Sequence, residues 1–255
     1  MKAPRAQLLA ENPFPDPLTL GFFFREKLRA IHQVAPDGPF QHVLEIGGGR
    51  GGVTGLLYPQ ARVVNLELDA DHAVAPPNAG KPFVCGDAAR LPFAARSFDA
   101  VTMFDVLEHV PDHAAAVAEA LRVLRPRGVL LVSSPNEQWR FPYYAPLRIV
   151  CPTDTEIMAE WGHVRRGYGL DELERLIGLP CLGFATYITP LTALGHDIAF
   201  SRLSYRARRS LCALLSPLTW LGYAVHRPSA KGTETASAWQ KPAGGITPGA
   251  EGGSA

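Results

Sequence analysis

The sequence predicts an α/β fold built on a mostly parallel sheet, and three observations carry that prediction. Short apolar strand-like runs alternate with helix-like runs from His42 to Leu124, the rhythm of a parallel sheet covered on both faces. The first strand stops in a cluster of glycines, Gly47-Gly48-Gly49-Arg50-Gly51-Gly52, before a helix begins. Hydrophobic residues make up 47% of the 255 residues, enough to cover such a sheet on both sides.

The elements follow in order. Residues 1–18 are proline-rich and polar and read as a surface segment. Leu20–Val34 mixes Phe23, Phe24, Leu28 and Ile31 with charges at helical spacing, and Pro36-Asp37-Gly38-Pro39 ends it. Strands are expected at His42–Ile46, Ala61–Leu68, Pro82–Cys85, Phe98–Phe104, Gly128–Ser133, Cys181–Ile188 and Thr235–Lys241. Helices are expected at Val53–Tyr58, Ala114–Leu124 and Leu170–Ile177, the last with Asp171 as a cap. Residues 135–168 show no clear period, and a segment of that length inside a compact domain reads as a lid or binding insertion. Residues 190–226 are apolar and helix-like, and 242–255 are Gly/Pro/Ala-rich and read as disordered.

Charge excludes little except by balance. With 25 Lys+Arg against 24 Asp+Glu, nothing global points to nucleic acid. Cys85, Cys151, Cys181 and Cys212 form no CxxC pair, so reduced thiols in a cytoplasmic protein are expected. Met1–Glu11 lacks an apolar signal core, and there is no uninterrupted run of 18 apolar residues.

The glycine cluster brings backbone close to a ligand, and Gly47, Gly49 and Gly52 satisfy GxGxxG, a weak signal alone. Glu45 discriminates between ligands. It ends the first strand, where ligands of open α/β sheets gather. A carboxylate there repels a pyrophosphate but suits the sulfonium and ammonium of S-adenosylmethionine. Arg50 is compatible with a phosphate or with the methionine carboxylate. Glu67, about 20 residues past the loop, stands where an acid binds ribose hydroxyls. Asp87, after the third strand, can accept from an adenine amino group.

These residues form a familiar set. Val43–Gly51, Gly86–Phe93 followed by Ser97–Val101, Phe104–Val110 and Arg122–Gly128 resemble, in order and spacing, the motifs of class I S-adenosylmethionine-dependent methyltransferases of the small-molecule branch. The likeness covers roughly residues 40 to 136. It implies a Rossmann-like, doubly wound, seven-stranded sheet whose last strand is antiparallel. It implies that Glu45, Gly47 and Gly49 cradle the methionine part, Glu67 the ribose, and Asp87 with Ala88 the adenine, with Phe104 and Asp105 beside the cofactor. The implied division is an extension and cap helix at 1–37, a methyltransferase domain at 38–241 with insertions 135–168 and 190–226, and a tail from 242. Arg127 stands where relatives commonly carry glycine, a strained choice if φ is positive there.

Methyl transfer needs alignment first and a base only if the nucleophile must lose a proton. His109 and His163 are the candidate catalytic residues: the first follows the fourth strand and the second sits in the lid segment Glu160–Tyr168. Some quinone-precursor methyltransferases with a Glu-His pair like Glu108-His109 require a divalent ion, but one adjacent pair does not assign a metal. The insertions, rich in aromatics such as Trp139, Phe141, Tyr205 and Trp220, suggest a small hydrophobic acceptor: lipid-linked, quinone-like or a secondary metabolite, with oxygen as the accepting atom. The apolar run Leu211–Val225, downstream of arginines 202–209, reads first as lid or dimer packing and second as a peripheral membrane contact. The rival readings are a nicotinamide-dependent oxidoreductase, which Glu45 disfavours, and a non-catalytic S-adenosylmethionine-binding module.

Overall fold

The computed structural model describes residues 1–12, 21–49, 52–75, 78, 80–227 and 231–244. Arg50, residues 13–18 and most of the tail lie outside the described residues.

Seven strands form one sheet in the order β3-β2-β1-β4-β5-β7-β6. They are β1 (His42–Ile46), β2 (Arg62–Glu67), β3 (Phe83–Cys85), β4 (Phe98–Phe104), β5 (Leu124–Pro135), β6 (Cys181–Tyr187) and β7 (Glu234–Gln240). β1 to β5 pair in parallel, and β7 enters antiparallel between β5 and β6. The chain winds outward from β1 in one direction to β3 and in the other to β5. The crevice between the carboxyl ends of β1 and β4 is therefore the topological switch point.

Alternation along the strands divides the core into two layers. Leu44, Ile46, Val101, Met103, Leu130, Val132 and Trp239 face one way, against α4 (His113–Val123) and α6 (Leu170–Ile177). Phe104, Val129, Leu131, Ala236 and Ala238 face the other, against α2 (Gly21–Val34), α3 (Thr54–Leu57) and α7 (Pro190–Ala199).

Several sequence expectations change in detail. The N-terminal segment does not wander within residues 1–12. It forms α1 (Arg5–Ala10), buries Leu8 completely, and places Lys2 Nζ on the carbonyls of His32 and Ala35 at the end of α2. A cation there satisfies orphan carbonyls and complements the helix dipole. The unpatterned stretch 135–168 contains α5 (Asp154–Trp161), opened by a capping box between Thr153 and Glu156. That Thr-x-x-Glu spacing was present in the sequence; the aromatic and proline content around it masked the helix. Asp171 does not cap α6: Gly169 occupies the cap without a side-chain bond, and Asp171 lies in the first turn, where its charge suits the dipole. Residues 190–226 split into α7 and α8 (Tyr205–Val225), capped by Thr189 and Ser204. Arg127 does adopt a positive φ of 63°, and its amide donates to Lys241 O at 3.0 Å, tying the turn to the end of β7.

Candidate functional site at the switch point

A cavity of about 400 Å³ opens at the carboxyl ends of β1, β2 and β4, with Gly47, Glu67, Asp87, Ala88, Asp105 and His109 in its lining. Each reaches it through local structure. The chain leaves β1 through Gly47 (φ +72°) and Gly49 (φ +57°), conformations that glycine adopts without the cost a Cβ carries. At Gly47 a Cβ would also collide with Val106 of the loop after β4. The Gly47 amide donates to Leu66 O at 2.8 Å and the Gly48 amide to Asn65 Oδ1 at 3.2 Å. The Gly49 amide donates to the Glu67 carboxylate, and Asn78 Nδ2 donates to Gly49 O at 2.8 Å. Glu67 also lies 3.7 Å from His72 Nδ1.

Glu45 occupies a different place from its neighbours in the motif. Its carboxylate is buried beneath the loop and accepts from the Thr54 amide at 3.0 Å. Burial pushes its pKa up, opposed by the bonds from Thr54 and Val53. Gly52 packs so close that any side chain there would overlap the carboxylate. Glu45 thus braces the glycine loop against α3 and is not among the described residues lining the cavity. Phe104 is likewise buried in the core layer facing α2, and not in the described lining. Asp87 Oδ1 accepts from Ala89 N at 2.8 Å, a turn that presents Ala88 to the cavity.

Asp105, the first residue after β4, has φ +53°. Its carboxylate pairs with Lys27 of α2 and accepts from Ser133 Oγ at 2.7 Å. Burial alone would raise its pKa, but Lys27 and Ser133 together hold it below the usual carboxylate value. Lys27 is a site residue that helical periodicity in α2 did not single out; only the packing of α2 against the sheet brings it to β4.

Glu108 is fully buried and neither carboxylate oxygen has a partner among the described residues. Burial, and then the charge on Asp105, raise its pKa well above the ordinary value. His109 and His163 meet edge to face, ring centroids 4.7 Å apart. The segment between β5 and α6 brings them together. Val164 N donates to Glu108 O at 2.9 Å, and Arg165 donates to Leu107 O and Val110 O at 2.6 Å each and to Pro111 O at 3.0 Å. Tyr168 Oη adds a bond to Leu107 O at 2.9 Å. Burial, then His109, lower the His163 pKa to about 4, so its ring is neutral at physiological pH. A neutral ring accepts a hydrogen bond from a hydroxyl, while so low a pKa makes it a weak proton acceptor. Glu108, His109 and His163 each offer one ligand atom within 4.8 Å of the others, the donor set for a cation among the described residues.

The described lining carries the carboxylates Glu67, Asp87 and Asp105, the last neutralised by Lys27 behind it, and no lysine or arginine. That balance suits a cationic ligand and opposes a pyrophosphate. A sulfonium cofactor fits these residues: glycine backbone for close approach and acids for its ammonium and hydroxyls.

Comparison with known proteins agrees. The family model described as "Methyltransferase domain" matches residues 44–132. A Mycolicibacterium smegmatis protein named "Probable S-adenosylmethionine-dependent methyltransferase" is 39% identical over 133 residues, 51% of each chain. The 2-methyl-6-phytyl-1,4-hydroquinone methyltransferase of Synechocystis is 28% identical over 164 residues, covering 59% of this chain and 51% of that one. The chain spans about half the length of these curated relatives. A solved S-adenosylmethionine-dependent methyltransferase from Thermotoga maritima shares the fold with a TM-score of 0.55 at 19% identity, covering 86% of this chain and 90% of its own. Residues 44–132, which carry the glycine loop and the switch-point crevice, are thus similar to a methyltransferase domain, and the chain as a whole shares the fold of solved S-adenosylmethionine-dependent methyltransferases.

Proposed function

We propose that the chain transfers the methyl group of S-adenosylmethionine to a small, apolar acceptor, with oxygen as the accepting atom. The observation that carries the reading is the acidic lining of the switch-point cavity, which favours a sulfonium over a dinucleotide. In this assignment Gly47 and Gly49 cradle the methionine part, with Glu45 bracing the loop. Glu67 takes the ribose, Asp87 and Ala88 the adenine, and Asp105 lies beside the methyl donor with Phe104 behind it. His109 and His163 stand at the acceptor side and orient the nucleophile; alignment supplies most of the rate in a displacement on an already activated carbon. An apolar acceptor is supported by the aromatic lid cluster of Trp139, Phe141 and Trp161 and by the Synechocystis relative, whose name specifies a phytyl-bearing hydroquinone.

A peripheral membrane contact through 202–226 is a second element of this reading. Leu214, Leu221 and Val225 are exposed on one stripe of α8, with Arg206 and Arg209 exposed at its start. No helix among the described residues is long and apolar enough to cross a membrane.

Calorimetric titration with S-adenosylhomocysteine, with NADH in parallel and Glu67→Ala as control, tests the cofactor. Binding of the first, lost in the variant, supports the reading; folded protein that binds only NADH overturns it. Mass and NMR analysis of products from a panel of hydroquinones and hydroxylated lipids then identifies the accepting atom.

A further inference from the structure

A second cleft lies in the lid, separate from the cofactor cavity. It has a volume of about 420 Å³ and is lined by Arg140, Phe141, Arg148, Thr153, Asp154 and Arg166, with prolines completing the wall. Three arginines and one aspartate therefore line one cleft. That carboxylate is already committed: Asp154 Oδ1 accepts from Phe141 N at 2.6 Å, and Oδ2 pairs with Arg166 Nη1 at 2.8 Å. Arg166 Nη1 also donates to Trp139 O at 3.1 Å, so its guanidinium is held in place while its side chain stays half-exposed. Arg140, which is exposed, lies over the Tyr143 ring at 4.9 Å. Arg148 is exposed and has no ion-pair partner among the described residues. Arg140 also borders the adjoining cleft that contains Lys231, which extends the positive surface.

The geometry points to a binding site for a phosphate or pyrophosphate group in this cleft. Arginine presents paired donors that match phosphate oxygens, and several guanidiniums converging on one concavity repel each other unless an anion joins them. A solvated basic face would spread its charge over a convex surface; here three arginines line one hollow whose single acid pairs with Arg166.

The cleft is connected to the proposed acceptor side by aromatic rings. Phe141, in its wall, lies 6.4 Å from Trp161; Trp161 lies 5.6 Å from His163; His163 lies 4.7 Å from His109 at the cofactor cavity. These rings belong to one small packed core that joins the cleft to the proposed acceptor side. Resting on the methyltransferase reading above, the acceptor class becomes a phosphorylated or pyrophosphorylated amphiphile. The anion site itself does not depend on that reading.

The test uses the full chain and three titrations: inorganic pyrophosphate, monomeric dihexanoyl phosphatidic acid below its micelle concentration, and S-adenosylhomocysteine. Each is repeated with Arg140→Ala/Arg148→Ala. The expected result is saturable pyrophosphate binding, weakened about tenfold or more in the variant, with S-adenosylhomocysteine affinity unchanged. Tighter binding of the phosphatidic acid than of pyrophosphate identifies an amphiphile; the reverse identifies a free phosphate compound. Absence of saturable anion binding by protein that binds S-adenosylhomocysteine overturns the site and leaves the cofactor assignment standing. Anion binding equal in the variant and the wild type overturns it as well. Should the double variant fold poorly, seen as loss of S-adenosylhomocysteine binding, Arg148→Gln alone decides, since that exposed side chain makes no hydrogen bond or ion pair among the described residues.

Discussion

The imidazoles of His109 and His163 stand at 85° with centroids 4.7 Å apart, although one follows β4 and the other follows α5. The segment carrying His163 is stitched to the loop after β4 by Arg165, whose guanidinium bridges the carbonyls of Leu107, Val110 and Pro111. Arg165 shares that role with Val164, whose amide donates to Glu108 O, and with the contact between His109 Nδ1 and Gly162 O at 3.2 Å.

Removing that cation should release the lid. Arg165→Ala is expected to cost about 2 kcal/mol in urea unfolding, since three carbonyls lose a charged donor. Cofactor affinity should change little and the acceptor KM should rise. A variant with wild-type stability and KM would show that the lid docks by other means.

Acid should expose the burial of His163. Its folded pKa of about 4 lies below the ordinary 6.5, so the unfolded chain takes up the proton first. The stabilisation is present above pH 6.5 and is lost as pH falls toward 4. Wild type should lose stability relative to His163→Asn across that window. Parallel denaturation midpoints at pH 7.5, 5.5 and 4.5 would contradict it.

Glu26 predicts the opposite limb. It is buried in α2, where its Oε2 accepts from Ile188 N at 3.0 Å and Thr192 Oγ1 at 3.1 Å. Burial raises its pKa to about 7 against these bonds. Folding then favours the protonated form, so its contribution is complete below the unfolded value of 4.5 and declines as pH rises to about 7. Relative to Glu26→Gln, wild type should lose on the order of 3 kcal/mol between pH 4.5 and 8. A pH-independent difference would rule this out.

Gly47 should resist substitution for two separable reasons, its φ of +72° and the proximity of Val106. Gly47→Ala is expected to lower stability by about 1–3 kcal/mol and to weaken S-adenosylhomocysteine binding. Adding Val106→Ala relieves the collision but not the backbone strain, so recovery should be partial. Full recovery in the double variant would assign the whole effect to the collision.

Much of this molecule was legible before folding was considered. The strand–helix alternation located all seven strands to within a few residues, because pleat and helix periodicity are local properties. The acids after β2, β3 and β4 could be placed at one end of the sheet because parallel strands all end on the same side. The lid helix α5 was missed despite its capping box, because aromatic residues that pack a small satellite core give no amphipathic period.

The sequence by itself determined the sheet, the glycine turn and the acidic rim of the cavity, since each follows from residue type and short-range spacing. Tertiary structure decided the rest: that Glu45 turns beneath the loop, that Lys27 reaches Asp105, that His163 meets His109, and that three arginines line one cleft. These contacts join segments far apart in the chain, and only the packing of helices on the sheet and the docking of the lid bring their side chains within bonding distance.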